Sequence, residues 1–199
     1  MSEALRLTER DGIAVLALDN PPVNGLSIDV RKGLLHHLSV GLVDDDIIGL
    51  VITGSGRMFS AGADIREFGK PPQAPQLSEV VAALETSAKP LIAVLHGTAL
   101  GGGLEVALGC HLRIALEGTR IGLPEVKLGL LPGAGGTQRL PRLADAQTSL
   151  EMIVTGKPTS VVKLPGVFDK ISDKPEHLLE DTKAYLQALT PDKAIKRTC

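Results

Sequence analysis

The sequence predicts a single α/β domain. Two patterns carry that reading. Short runs of small and β-branched apolar residues, the mark of buried strands, alternate along the chain with stretches whose apolar positions repeat at helical spacing. The 22 glycines and 13 prolines gather in blocks near 21–25, 54–62, 101–103 and 129–136, where those runs end. No internal repeat, low-complexity tract or long linker divides the 199 residues. A chain of that size buries about 70% of the surface its unfolded form exposes, enough for a core without staples.

The elements follow in order. GIAVLAL (12–18) reads as a strand, and Asn20, Pro21, Pro22, Asn24 and Gly25 then force a turn. From Ser27, the positions Ile28, Val30, Leu34, Leu35, Leu38 and Leu42 form one helical stripe, closed by Asp44 to Asp46. GLVITGS (49–55) is a second strand, short and apolar enough to be buried on both faces. Residues 69–78 are the least structured stretch, and a helix follows to about Ser87. PLIAVLHG (90–97) is a third strand, leading through TALGGG into the helical run LEVALGC. HLRIAL (111–116) and TRIGL (119–123) read as short strands, and 145–155 and 176–189 as helices.

Composition excludes several function classes. Hydrophobic residues make up 43% and charged ones 22%, which rules out a disordered or fibrous chain. With 21 basic against 23 acidic residues, the net charge of -2 provides no field for nucleic acid or an anionic membrane. The longest uncharged run, Pro90 to Leu104, has 15 residues and four glycines, short of the ~20 apolar residues of a membrane span. Cys110 and Cys199 are too few for a disulfide framework, and the charged start lacks a secretory h-region. A cytoplasmic setting is expected. The histidines show no metal-ligand spacing: His36 and His37 are adjacent, and His96, His111 and His177 are isolated. No metal is expected.

Three loops could carry chemistry. In FSAGAD (59–64), glycine and alanine let the backbone approach a ligand closely, though an ordinary tight turn has the same composition. In TALGGGLEVALGC (98–110), three glycines leave a strand and open a helix, so first-turn N–H groups face the loop. Neither G-x-G-x-x-G nor a phosphate loop is met there, which leaves a developing oxyanion as the better ligand. Glu105 is the only formally charged side chain between Lys89 and Arg113. Within so apolar a helix its pKa should be raised, as acid–base work near neutrality requires, although a surface carboxylate at the helix N-terminus is the plainer role. In 121–143, Glu125 brings a second carboxylate beside a second glycine-rich loop; alone, it would read as a partner for Lys127 or Arg120. Two carboxylates plus backbone donors can add water across a polarised double bond, the N–H groups holding the enolate.

Together these segments resemble the crotonase, or enoyl-CoA hydratase/isomerase, family: SAGAD, ALGGGLE, GLPEV and LGLLPGAGGTQRLPRL stand in the family's order and spacing. ALGCHLRIA with GLPEVKLGLLPG is most similar to the N-terminal hydratase part of the bifunctional enzymes of fatty acid β-oxidation. The resemblance implies a spiral of ββα units, with a core over 1–158 and a divergent, shortened C-terminal helical region over 159–199. It implies 2-enoyl-CoA hydration, with Glu105 activating water, Glu125 moving the proton at the α-carbon, and the N–H groups of Ala63 and Gly102 as oxyanion hole. Ala61, Ala63, Asp64, Ile65, Arg66 and Gly102 would line the CoA track. Coenzyme A would be part of the substrate, with no separate cofactor. Homo-oligomers are expected, and a peroxisomal setting if a longer eukaryotic chain carries the signal. Two other readings stay open: a Δ3-Δ2-enoyl-CoA isomerase on the same site, and a catalytically weak acyl-CoA-binding fragment of a larger bifunctional enzyme. Pro165 falls where the family has a helix, so a loop or distorted turn is expected there. The acyl tunnel is expected to be open on one side, with apolar surface around it.

Overall fold

The computed structural model describes residues 4–188; Met1 to Glu3, Leu189 and the tail with Cys199 lie outside the described residues. In chain order, β1 (Leu5–Arg10) and β2 (Ile13–Leu18) precede α1 (Ile28–Val43), β3 (Gly49–Gly54), α2 (Leu77–Glu85), β4 (Leu91–Leu95), β5 (Thr98–Leu100) and α3 (Gly102–Gly109). There follow β6 (Leu112–Leu116), β7 (Arg120–Gly122), α4 (Gly136–Leu143), α5 (Ala146–Thr155), β8 (Thr159–Ser160), β9 (Lys170–Ser172) and α6 (Pro175–Ala188).

Six strands form one sheet in the order β1-β2-β3-β4-β6-β9, antiparallel at the first pair and parallel thereafter. Its side chains alternate between two buried faces. Leu50 and Ile52 join Leu16, Leu34, Leu84, Leu91 and Leu104 in the main core, under α1, α2 and α3. Val51 faces the other way with Ile13, Ile92, Val94 and Ile114, and α6 covers that face through Leu186, Tyr185 and Leu178. β5, β7 and β8 form a second, small sheet.

The connection pattern repeats. β4 leads to β5 and then α3, and β6 leads to β7 and then the 3-10 turn Pro124–Leu128. β3 leads to Ser60, whose isolated parallel bridge to Ala99 extends the small sheet, and then to α2. Each unit crosses from the large sheet to the small one before its helical segment, so successive loops stack at one place. Those loops are FSAGAD, the triple glycine and the segment from Leu123 on.

Five elements are additional to the sequence reading: β1, β5, α4, β8 and β9. β1 occupies the charged start, paired with β2 through a two-residue turn at Asp11 (φ 54) and Gly12 (φ 75). Thr98–Leu100 is a strand rather than part of a loop. The glycine-rich block does not end in a loop but opens α4. After β8 the chain runs through a 3-10 turn, Val161–Lys163, and an irregular stretch at Pro165, as that proline predicts, but then adds β9 to the large sheet.

Candidate active site

The FSAGAD loop is stitched down by buried polar groups. Asn24, in the left-handed region (φ 53), donates from Nδ2 to the carbonyls of Ser55 and Met58 at 2.9 Å each and Phe59 at 3.2 Å. Ser60 Oγ donates to the Asn24 carbonyl (2.7 Å) and accepts from the Gly62 N–H (3.1 Å). The Ala61 N–H goes to Val23 O (2.9 Å), and Gly62 O accepts from Leu26 (2.8 Å). Among the described residues, the Ala63 N–H donates to none. Asn24→Ala should therefore cost about 1–3 kcal/mol, since the buried Phe59 carbonyl and two half-buried ones lose their donor; urea unfolding measures it.

The next stretch is braced from α1. Glu67 Oε1 accepts from the Ile28 N–H (2.6 Å) and Oε2 pairs with Arg31 (2.9 Å), whose Nε donates to Pro75 O (2.8 Å). This fixes where Leu77 begins α2.

The triple glycine turns sharply at Gly101 (φ 50), whose N–H donates to Gly122 O at 2.9 Å. Gly102 is the first residue of α3, and its N–H has no acceptor among the described residues. A Cβ placed on Gly102 would lie 3.7 Å from the Ala63 nitrogen, so the two free amides are neighbours. That is the arrangement of a two-donor anion hole.

Glu105, in the first turn of α3, is 2% exposed. Its Oε1 accepts from the N–H groups of Ala134 (2.7 Å) and Gly136 (2.8 Å). Burial pushes its pKa up, and the two N–H groups and the Arg139 guanidinium oppose that. Glu125 stands in the 3-10 turn that Pro124 starts, with Oε1 3.0 Å from where a Cβ of Gly101 would sit. It pairs with neither Lys127 nor Arg120; Oε2 is buried with no partner among the described residues, and Arg120 donates instead to Pro158 O. Burial, then the charge of Glu105, pushes its pKa up. Both carboxylates line one cleft of about 340 Å³ with Ala61, Ala63, Gly102 and Leu77.

Other expected site residues sit differently. Asp64 and Arg66 turn toward each other at 2.5 Å rather than into the cleft, and Arg66 holds the Asp64 carboxyl below its ordinary range. Ile65 is 77% exposed, and with Phe68, Leu128, Leu130 and Leu131 it supplies the apolar surface expected around the cleft. Cys110 is buried at the end of α3, its pKa pushed up to about 12 by burial. His111 is a packed residue: Nδ1 accepts from the Leu91 N–H (3.0 Å) and Nε2 faces Glu85 O (3.2 Å). Asn24, read from sequence only as a turn residue, and Arg31, Glu85 and Arg139, not singled out there, build the surroundings. Among the described residues no cluster of acidic, His or Cys side chains could hold a metal ion, and no helix is long and apolar enough to cross a membrane.

Comparison with known proteins identifies the family. A peroxisomal fatty acid beta-oxidation multifunctional protein of Arabidopsis thaliana is 47% identical over 157 residues, 74% of this chain and 22% of that protein. A probable enoyl-CoA hydratase of Bacillus subtilis is 43% identical over 164 residues, 79% of this chain and 64% of the relative. The chain thus spans about a quarter of the length of the multifunctional relatives it matches. Among solved structures, the enoyl-CoA hydratase of Bacillus anthracis superposes with a TM-score of 0.85 at 29% identity, over 94% of this chain and 76% of that one. The match to the family described as enoyl-CoA hydratase/isomerase runs over residues 8–197. On that match, and on a fold shared with its solved members, the chain belongs to the enoyl-CoA hydratase/isomerase family.

Proposed function

We propose that this chain adds water across the double bond of 2-enoyl-CoA thioesters in fatty acid β-oxidation. One observation carries the reading: the buried Glu105 and the half-buried Glu125, both with raised pKa, share a cleft with two neighbouring backbone N–H groups that have no acceptor among the described residues. The thioester oxygen accepts from Ala63 and Gly102, which stabilise it most as it gains enolate charge. Glu105, held by two N–H groups and faced by Arg139, is the carboxylate favoured to be ionised. It takes the proton of a water whose oxygen bonds the β-carbon. Glu125, unpartnered at Oε2 and beside that anion, is favoured to be protonated, and gives its proton to the α-carbon. Unlike environments thus divide the base role from the acid role.

Ala61 to Arg66 would meet coenzyme A mainly through backbone, since Asp64 and Arg66 occupy each other. Coenzyme A enters as part of the substrate, with no separate cofactor. A homo-oligomer in the cytoplasm, or in a peroxisome as the relatives' names suggest, belongs to the same proposal.

The test is the loss of enoyl-thioester absorbance on mixing with 2-enoyl-CoA, with 3-enoyl-CoA assayed beside it. Hydration exceeding double-bond migration is the expected result; binding without turnover, or migration alone, would overturn it. The pH dependence has a definite sign. The rate should rise as Glu105 loses its proton and fall as Glu125 loses its own, with the lower limb above the ordinary glutamate range. A profile flat across both limbs would remove the acid–base pair from the scheme.

A further inference from the structure

Behind Glu105 lies a buried ion pair that the reaction steps do not use. Arg139 on α4 and Glu85, the last residue of α2, are both buried, and Nη2 of Arg139 donates to Glu85 Oε2 at 2.7 Å. Nη1 donates to the carbonyl of Ala134 at 2.9 Å. The N–H of that same residue holds Glu105 Oε1, and so does the N–H of Gly136, where α4 begins. Between them Gly135 takes φ 97, and any side chain there would overlap the guanidinium. Ala134 is therefore gripped from both sides, by the arginine through its carbonyl and by the carboxylate through its N–H.

Stability alone does not account for such a pair. Apolar side chains of similar volume often serve as well as a buried ion pair, and here Arg139 Nε is left buried without a partner among the described residues. What the guanidinium does that an apolar group cannot is fix a carbonyl and present positive charge. We propose that Arg139, braced by Glu85, is the positioning residue for the water-activating carboxylate: it sets the 134–136 loop so that both N–H groups meet Glu105, and it faces that carboxylate with the compensating charge. The proposal rests on the hydratase reading of Glu105.

The charged groups packed about Glu105 are Arg139 from α4, Glu125 from the 3-10 turn and, through Arg139, Glu85 from α2. Taking away the arginine removes the positive charge that favours the ionised form of Glu105. The acid limb of the rate profile then moves to higher pH.

Arg139→Gln tests this. The expected kcat is roughly 10- to 100-fold lower with KM little changed, because a displaced base costs rate rather than binding. Arg139→Lys keeps the charge and loses the two-armed fork, so it should return the acid limb while restoring kcat only in part. In a Glu105→Gln background, Arg139→Gln should add little, since positioning acts through the base. A purely structural arginine would lower the folded fraction in every background and leave the acid limb in place. A folded Arg139→Gln protein with unchanged kcat and acid limb overturns the proposal. Amide hydrogen exchange decides it without turnover: faster exchange at Ala134 and Gly136, and not across the sheet, supports the role, and unchanged exchange there refutes it. If Arg139→Gln does not fold, Arg139→Lys is measured the same way. Should the unmodified chain hydrate nothing while these amides respond as expected, the hydratase reading fails and the positioning stands.

Discussion

Glu105→Gln and Glu125→Gln should each lower the kcat of hydration by ~10²–10⁴, the usual worth of a positioned acid or base. Glutamine keeps the shape and can still accept from Ala134 and Gly136 through its carbonyl oxygen, so folding should survive. The double variant should be little worse than the poorer single one, because the groups act as a unit. Stability gives an independent check. Both folded-state pKa values are raised, so any stability from these carboxyls is present below their unfolded pKa and lost as pH rises through the folded value. At neutral pH the glutamine variants should then be as stable as the parent or more so in urea. Near-full activity in either single variant would end the two-carboxylate account.

Gly102→Val should lower kcat by ~10²–10³, the loss expected when an oxyanion donor is displaced. A Cβ there would collide with the Leu77 side chain and lie 3.4 Å from Leu26 Cδ1 and 3.7 Å from the Ala63 nitrogen. The strain falls on both donors at once. Because these donors gain strength as charge develops on the thioester oxygen, kcat should suffer more than KM. Gly102→Ala should do the same in smaller measure. A weakened KM with unchanged kcat would make Gly102 a binding-track residue only.

Much of this was legible from the residues. The strands at 13–18, 49–54 and 91–95 are near-continuous apolar runs, as a sheet buried on both faces demands. The isolation of Glu105 in an apolar helix did foretell its burial. β1 carried a signal that its charges obscured, since Asp11-Gly12 between the charged run LRLTER and the apolar run IAVLAL marks a hairpin turn. β5 is three residues long and earns its pairing only when β7 and Ser60 arrive beside it. α4 was hidden because Gly135 and Gly136 discourage a helix locally, whereas the hydrogen bond from Gly136 to Glu105 rewards one in the folded chain. The supporting shell had no sequence signal at all. Glu85 and Arg139 are 54 positions apart, and nothing local says that a glutamate ending one helix will meet an arginine in another.

The claim that Glu105 and Glu125 deliver water to an enoyl thioester is tested most directly by the mass of the product formed in oxygen-labelled water. The chain should convert 2-enoyl-CoA to 3-hydroxyacyl-CoA carrying the label at the new hydroxyl, and the Glu105→Gln and Glu125→Gln proteins should form almost none while still binding acyl-CoA. Unlabelled or absent product from the unmodified chain, or equal labelling by the glutamine variants, would contradict it.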